Sequence, residues 1–453
     1  MHNKMRLADM DINYNRMIDK KIIKVVKNGV IYAGLFSSMH CFANSLYLES
    51  LTQLNDSELS DVHGQALMSL GYIAPNDSVN KMQGQGVGFY KLGLEAELEL
   101  NANIKKLQLG CGGVNGAGGC DIDIDNLSLS GLADTREGRV GSSAKLTNPF
   151  VEFAIKNPNS AATREVVGLR LSAEKVLGML TAGTENTGSP NGINSLSGYM
   201  KIKDTTGTGY TQARDMSYSD TGKTIDANIN AQICVILCLN IPLGVRSNNY
   251  SLNLDSAKAD IFIKGQTISG NRMNKVLLNG YANINRINFS GNLEASLNIT
   301  AGLFKLQKTV DGNITGLKAN VSVDQNLGYI HKINLNNPFS LSLQNQNVWW
   351  PGAEVAAQRG WWMAFEDSID IGDVTPSQKI IITNDVLKQV VDPISNYLTS
   401  NPIPCSGLGG CLGGYLGIGN VNLPNTSVNF PLKDLQLKNQ DFAPNCYGSL
   451  KFC

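Results

Sequence analysis

The chain has 453 residues, with 38 basic against 38 acidic, 42% hydrophobic residues and 46 glycines. Formal neutrality excludes the basic footprint of a nucleic-acid-binding surface, and the apolar fraction is enough for one large elongated domain or two to three compact ones. Only 17% of residues are charged, which describes a polar, weakly charged surface of the kind common outside the cell.

The first element is a targeting segment. Lys20 to Lys27, "KKIIKVVK", is basic, and the short apolar run "GVIYAGLFSSMHCFA" ends in a small residue. A positive region, a short apolar region and a small residue at the cut describe a secretory signal peptide, with cleavage expected after Ala43 and Met17 an alternative start. Ser38-Met39-His40 departs from the small-residue pattern that would make Cys41 a lipid anchor. The run is too short for a comfortable membrane span, and no comparable run follows, so no transmembrane helix is expected in the mature chain. Residues 1–43 hold seven Lys or Arg and three Asp, which leaves a mature chain of 31 basic and 35 acidic residues. The expected destination is the periplasm, cell surface or exterior, reached by a Sec-type signal.

Residues 44–75 form the second segment. The stretch "LNDSELSDVHGQ" (Leu54–Gln65) places Leu54, Glu58, Leu59, Val62 and Gly64 in the register that double-glycine peptidases read in leader peptides, although Gln65 replaces the final small residue. Read from the residues alone, it is a short amphipathic helix capped by Ser57, with Leu59 and Val62 three residues apart on one face and Leu54 at its edge. Such a ridge suits a groove on a partner in the envelope.

Residues 76–370 are expected to be β-rich. "LEAELELNANIKKLQLG" (Leu94–Gly110), "DIDIDNLSLSG" (Asp121–Gly131), "YSLNLDSAKADIFIKG" (Tyr250–Gly265) and the stretches Gly280–Gly302 and Ile314–Leu335 alternate apolar and polar residues with period two, broken by Gly, Asn and Asp. That pattern marks half-buried strands joined by turns. The fold class expected is mainly β: an elongated antiparallel β-sandwich or solenoid-like sheets with two or three short helices. An outer-membrane barrel also alternates, but the chain has too few interface aromatics and ends "SLKFC". Two further helices are expected, over "SAEKVLGMLTAG" (Ser172–Gly183) and "TNDVLKQVVDPISNYLTS" (Thr383–Ser400). The second starts at an N-cap candidate, carries Val386, Leu387, Val390, Val391, Ile394 and Leu398 on one face, and is kinked by Pro393.

Candidate chemistry is sparse. Asp121, Asp123 and Asp125 suggest calcium, but the sixth and twelfth positions of an EF-hand loop would be Asn126 and Leu132, so the three aspartates read better as the wet face of a strand. "GQGVGF" (Gly84–Phe89) lacks the residues of a nucleotide loop. Trp349, Trp350, Trp361 and Trp362 make two pairs able to stack on a sugar if exposed, or to pack a domain end if buried. His331 sits in an alternating stretch as a structural histidine. No serine has a nucleophile-elbow context, and although two distant carboxylates could still form a glycosidase pair, no enzyme is expected. No cofactor is expected.

Without Cys41 eight cysteines remain: Cys111, Cys120, Cys234, Cys238, Cys405, Cys411, Cys446 and Cys453. Local pairing is natural for Cys111–Cys120, Cys405–Cys411 and Cys446–Cys453. A straight "CVILC" would hold Cys234 and Cys238 about 13 Å apart, too far for a disulfide, so either the chain turns there or the two bond elsewhere. Residues 371–453 are thus a disulfide-stabilised C-terminal region with one helix. Its Gly-rich stretch "SGLGGCLGGYLGIGN" is expected to be the first to loosen on reduction.

A signal peptide followed at once by "LYLESLTQLNDSELSDVHGQALMSLGY", then Asn- and Gly-rich strands with "DIDIDNLSLSG" and the ending "PLKDLQLKNQDFAPNCYGSLKFC", resembles the secreted proteins of the Fil pilus system of Acinetobacter-type bacteria. The resemblance implies a structural or adhesive cell-surface protein, with envelope or pilus-system partners that include a double-glycine-type peptidase. It brings no catalytic residues. The competing expectations are a soluble glycan-binding β module using the Trp pairs, and a protein associated with the outer membrane.

Overall fold

The computed structural model describes residues 68–185, 188–234, 238–299, 302–406, 413–435 and 437–445. The chain opens with β1 (Met68–Ile73), β2 (Val87–Leu94), β3 (Glu97–Leu100), β4 (Ala102–Leu109) and β5 (Ile122–Ser130), then a short helix α1 (Arg136–Val140). It continues through β6 (Ala144–Lys156), β7 (Glu165–Thr181), β8 (Ile193–Ile202), β9 (Thr205–Tyr210) and β10 (Arg214–Ser217) to the turn-like α2 (Tyr218–Thr221). Next come β11 (Ile225–Cys234), β12 (Cys238–Leu254), β13 (Lys258–Ile263), β14 (Gln266–Met273), β15 (Lys275–Ile284), β16 (Ile287–Ile299), β17 (Gly302–Thr315) and β18 (Lys318–Asn326). After β19 (Lys332–Leu335), β20 (Phe339–Gln344) and β21 (Gly360–Ile369), the helix α3 (Asn384–Ser400) precedes β22 (Ile403–Ser406), β23 (Tyr415–Asn422) and β24 (Ser427–Lys433). The protein is β-rich with a few short helices.

The strands form three sheets. Twelve build the largest, in the order β1-β2-β6-β7-β20-β21-β8-β5-β4 with β3, β14 and β19 alongside. A seven-stranded sheet runs β22-β11-β12-β16-β17-β23 with β10 beside β12, and a five-stranded sheet runs β24-β18-β15-β13-β9. Period two is visible in the burial of β18, where Ala319, Val321 and Val323 point inward and Lys318, Asn320 and Ser322 outward. Most pairs are antiparallel, but β22, β23 and β24 join β11, β17 and β18 in parallel. Each of these three strands is the end strand of its sheet. The region after residue 370 is therefore woven into sheets built by the preceding strands. Its Ile403, Leu416, Val421, Val428 and Phe430 belong to the main core.

Helix α3 forms as expected. Thr383 caps it by accepting from Val386 N at 3.4 Å, and Val386, Leu387, Val390, Val391, Ile394 and Leu398 are all buried. The helix expected over Ser172–Gly183 does not form; these residues belong largely to strand β7. Ala173 faces Pro149 and Val176 faces Leu146 on β6. Both are buried and both belong to the main core. Glu174, Lys175 and Leu177 beside them are exposed, so the three-residue spacing imitates a helix face, while the ladder with β6 makes the segment a strand. Residues 68–73, placed with the helical segment 44–75, are also a strand.

The last described residues, 438–445, strap the largest sheet. Gln440 Oε1 accepts the backbone N–H groups of His331 and Lys332 at 2.8 and 2.9 Å, and Gln440 Nε2 donates to Ile371 O at 2.9 Å. Phe442 lies between His331 and Arg139, with ring centres 6.4 Å apart from the first and 5.8 Å from the guanidinium. Arg139 is fully buried. It donates to the hydroxyls of Ser130, Thr181 and Ser128 and to Ala443 O at 2.9–3.1 Å. These partners are neutral, and burial pulls the guanidinium down to about 10.

His331 lies just before β19 and is buried, with Nδ1 donating to Ala182 O at 3.0 Å and Nε2 without a partner. Burial pushes its pKa below 6.5, and this outweighs the carbonyl bond and Asp441. The folded form therefore binds its proton at lower pH than the unfolded chain does, and stability falls as pH drops through 6.5 toward the folded value. The melting temperature should decline between pH 7.5 and 5.5, and the slope should flatten in His331→Asn; an unchanged slope contradicts the assignment.

Candidate interaction surface

The leader-register residues Leu54, Glu58, Leu59, Val62 and Gly64 lie outside the described residues, as do Cys411, Cys446 and Cys453. Cys111 and Cys120 form the expected disulfide. Cys405 is disulfide-bonded. Cys234 and Cys238 are directly opposed in the antiparallel pair of β11 and β12. Directly opposed residues of such a pair are about 4.5–5.5 Å apart at Cα, so their backbones are within disulfide reach.

The Cys111–Cys120 loop ends at a charged corner. Asp121 is buried rather than wet, which corrects the expectation for "DIDIDN" at its first position. Its carboxylate accepts from Asn115 Nδ2 (2.9 Å), Arg272 Nε (3.1 Å) and the backbone N–H of Trp361 (3.0 Å). Gly360 is required there: its φ is +102°, and a Cβ would meet Asp121 Oδ2 at 2.5 Å. Asp123 and Asp125 stay half-buried, bridged by Lys106 Nζ at 2.5 and 3.0 Å. Burial raises the Asp123 carboxyl, but bonds from Lys106, Gln108 and Asn194 outweigh it and hold it below the ordinary carboxylate range. Lys106 and Arg272 thus supply the positive charge that the three aspartates face. Among the described residues no group of three or more His, Cys, Asp or Glu is placed to hold a metal.

The tryptophans close a satellite core. Trp350 and Trp362 are buried with Phe89, Val167, Tyr199 and Ala364 beneath the segment that joins β20 to β21. Trp349 is half-buried, its Nε1 donating to Ala353 O at 2.9 Å and Lys81 Nζ standing 4.7 Å from its ring centre. Trp361 is half-buried against the main core. Two of the four rings are thus buried and two half-buried.

A sealed ionic cluster lies under Trp350. Arg170 donates to Glu152 Oε2 from Nε (2.9 Å) and Nη2 (2.5 Å), and to Pro351 O at 3.0 Å. Glu366 lies 3.5 Å from Arg170 Nη1, accepts from Ser340 Oγ at 3.0 Å, and accepts the Tyr199 hydroxyl. Burial raises the Glu152 carboxyl above its ordinary value despite Arg170 beside it. Burial, then the Glu366 charge, drives the Tyr199 phenol above its usual range. With Glu152, Arg170 and Tyr199 all buried, the cluster ties the Trp350 segment to the sheet.

The most open feature is the opposite face of the same sheet. Where β21, β8 and β5 cross the middle of the molecule, this face is the floor of the main core, carrying Met363, Phe365, Met200, Leu196, Ile122 and Ile124. The register then carries one row outward from Met363 through Leu341, Leu171, Val151 and Leu92 to Leu70. A second row runs from Trp361 through Leu343, Leu169, Phe153 and Tyr90 to Tyr72. Along β7, β6, β2 and β1 the other sheets no longer cover it. Leu343, Leu171, Tyr72 and Leu70 are 41%, 47%, 48% and 86% exposed. Monomeric soluble proteins rarely leave so extended an apolar patch open unless it contacts something.

Comparison of the chain with protein-family models, curated proteins and solved structures finds no match. Among the described residues no helix is long and apolar enough to cross a membrane.

Sequence reasoning missed this face. Its signal was there: "VGFYKLGL" (Val87–Leu94) sends Val87 and Phe89 to the satellite core and leaves Tyr90, Leu92 and Leu94 for the other side. For the sealed cluster, Arg170→Met should cost about 3–5 kcal/mol in urea denaturation by stranding Glu152 without its counter-charge. The loss should be smaller at pH 5 than at pH 8, because a protonated Glu152 is cheaper to bury.

Proposed function

We propose that the chain is an exported structural component of the bacterial cell surface, of the kind its resemblance to secreted Fil pilus proteins implies, and that it works by binding other proteins rather than by catalysis. The observation that carries this reading is the uncovered apolar face running from β20 to β1. Its exposed side chains stand on a rigid sheet, so little conformational entropy is lost when a partner covers them. The signal-like segment 1–43 accounts for export, and the Cys111–Cys120 disulfide suits an oxidising compartment. The partner is an envelope protein. The leader-like stretch carrying Leu54, Leu59 and Val62 supplies a second contact, with Glu58 and Gly64 completing the register read by a double-glycine-type peptidase.

Two measurements test it. N-terminal sequencing of protein from sheared surface and periplasmic fractions should find a chain starting at Asn44; a chain confined to the cytoplasm overturns the reading. Leu171→Asp with Leu343→Asp should shift the melting temperature little, because both side chains are already partly in water. It should lower recovery in the surface fraction at least about tenfold, the loss of roughly 1.4 kcal/mol of binding. Wild-type recovery by this folded variant removes the face from the mechanism.

A further inference from the structure

We propose that β1 pairs with β1 of a second copy of this chain, antiparallel about a two-fold axis, in a register centred on Leu70. The inference rests on the reading of the chain as a structural surface component and supplies its mode of self-association.

An edge strand exposes a row of N–H and C=O groups that another strand can complete, and folded proteins ordinarily blunt such edges with charge, proline, bulges or cover. The other sheet edges here are blunted in these ways. Strand β4 carries Lys105 and Lys106, β22 carries Pro404, and β24 carries Pro431 and Lys433. Strand β9 is covered, since Val374 N donates to Thr206 O and Ile380 N to Tyr210 O at 3.2 and 2.8 Å. Strand β23 meets its neighbour through a register shift.

Among the described residues strand β1 has none of these protections. Among the described residues it pairs with β2 alone, in unbroken register from Met68 opposite Leu94 to Ile73 opposite Phe89. "MSLGYI" contains no charge and no proline. A second copy therefore meets no like-charge repulsion along the strand.

The sequence of β1 is also self-complementary. With Leu70 on the axis, Leu70 faces Leu70, Met68 faces Tyr72, and Ser69 faces Gly71. Met68, Leu70 and Tyr72 all lie on the open apolar face, so six apolar side chains meet across the axis and the rows of both copies become continuous. This register sets the most exposed of the three, Leu70, against its own copy. Tyr72 already rests on Tyr90, with ring centres 4.5 Å apart, and needs no new partner. The small pair Ser69–Gly71 falls on the other face of the sheet, where it adds no bulk between the two copies. Such an interface is isologous and closes as a dimer.

The register gives the test. In the oxidised full chain, Leu70→Cys places the new thiol opposite itself, whereas Met68→Cys and Tyr72→Cys face one another only in a mixture. Mild oxidation should give a covalent homodimer at least about tenfold faster for Leu70→Cys than for either other variant. Mixing Met68→Cys with Tyr72→Cys should give the heterodimer. Sedimentation equilibrium should show a wild-type dimer that Leu70→Lys converts to monomer with an unchanged far-UV circular dichroism spectrum. A wild-type monomer at every concentration, or equal trapping at all three positions, overturns the proposal. So does vesicle binding that Leu70→Lys abolishes in a chain that never dimerises, since that assigns the edge to lipid. A Leu70→Lys monomer still displayed at the surface leaves the functional reading intact, while a dimer that never reaches the surface sinks that reading and leaves the pairing standing.

Discussion

A twelve-stranded sheet with apolar side chains on both faces must be covered twice, and the rest of this structure follows from how that cover is arranged. One face is closed by the segment carrying Trp349 and Trp350, pinned through Arg170, Glu152 and Glu366. The other is closed over β21, β8 and β5 by the two smaller sheets and helix α3, whose residues share one cluster with it. The smaller sheets do not reach β6, β2 and β1. Burial of apolar area drives the covered part, at roughly 25 cal/mol per Å² removed from water, and the same term makes the uncovered part sticky. Stability and the proposed contact surface are therefore two parts of one face.

The C-terminal segment finishes what the earlier strands leave open. Strands β22, β23 and β24 are added in parallel to the ends of two sheets, and residues 438–445 then cross the largest one. The strap encloses Arg139, a guanidinium held by three hydroxyls and a carbonyl with no carboxylate among these partners. A charge buried among neutral donors and acceptors is costly, and its hydrogen bonds are what make it tolerable. Lifting the strap would cost Arg139 its Ala443 carbonyl and expose His331 to protonation. The chain's last described residues and its most deeply buried base are thus coupled.

Local pattern was a good guide where one side of an element met water. The alternation in Lys318–Asn326 and the stripe on Asn384–Ser400 both state which side is inward, because polar residues mark the other. It failed where long-range pairing decided the outcome. Ala173 and Val176 both enter the main core, and their spacing passes for a helix until β6 is known to lie alongside. Asp121 failed similarly: it looks like the first of three wet aspartates, but Arg272, far along the chain, comes to neutralise it.

By itself the sequence determined the β-rich class, the position and buried stripe of the long helix, the local disulfide Cys111–Cys120, and apolar residues at both parities of strands such as Val87–Leu94. These are short-range matters of period, capping and loop closure, decided within about ten residues. Which apolar side is covered was decided only by tertiary structure. Leu341, Leu171, Val151, Leu92 and Leu70 come from five strands, and only the pairing register sets them in one row. Whether that row is core or surface depends on how far the other two sheets extend over it. That is a property of long-range packing, and no local stretch of the chain records it.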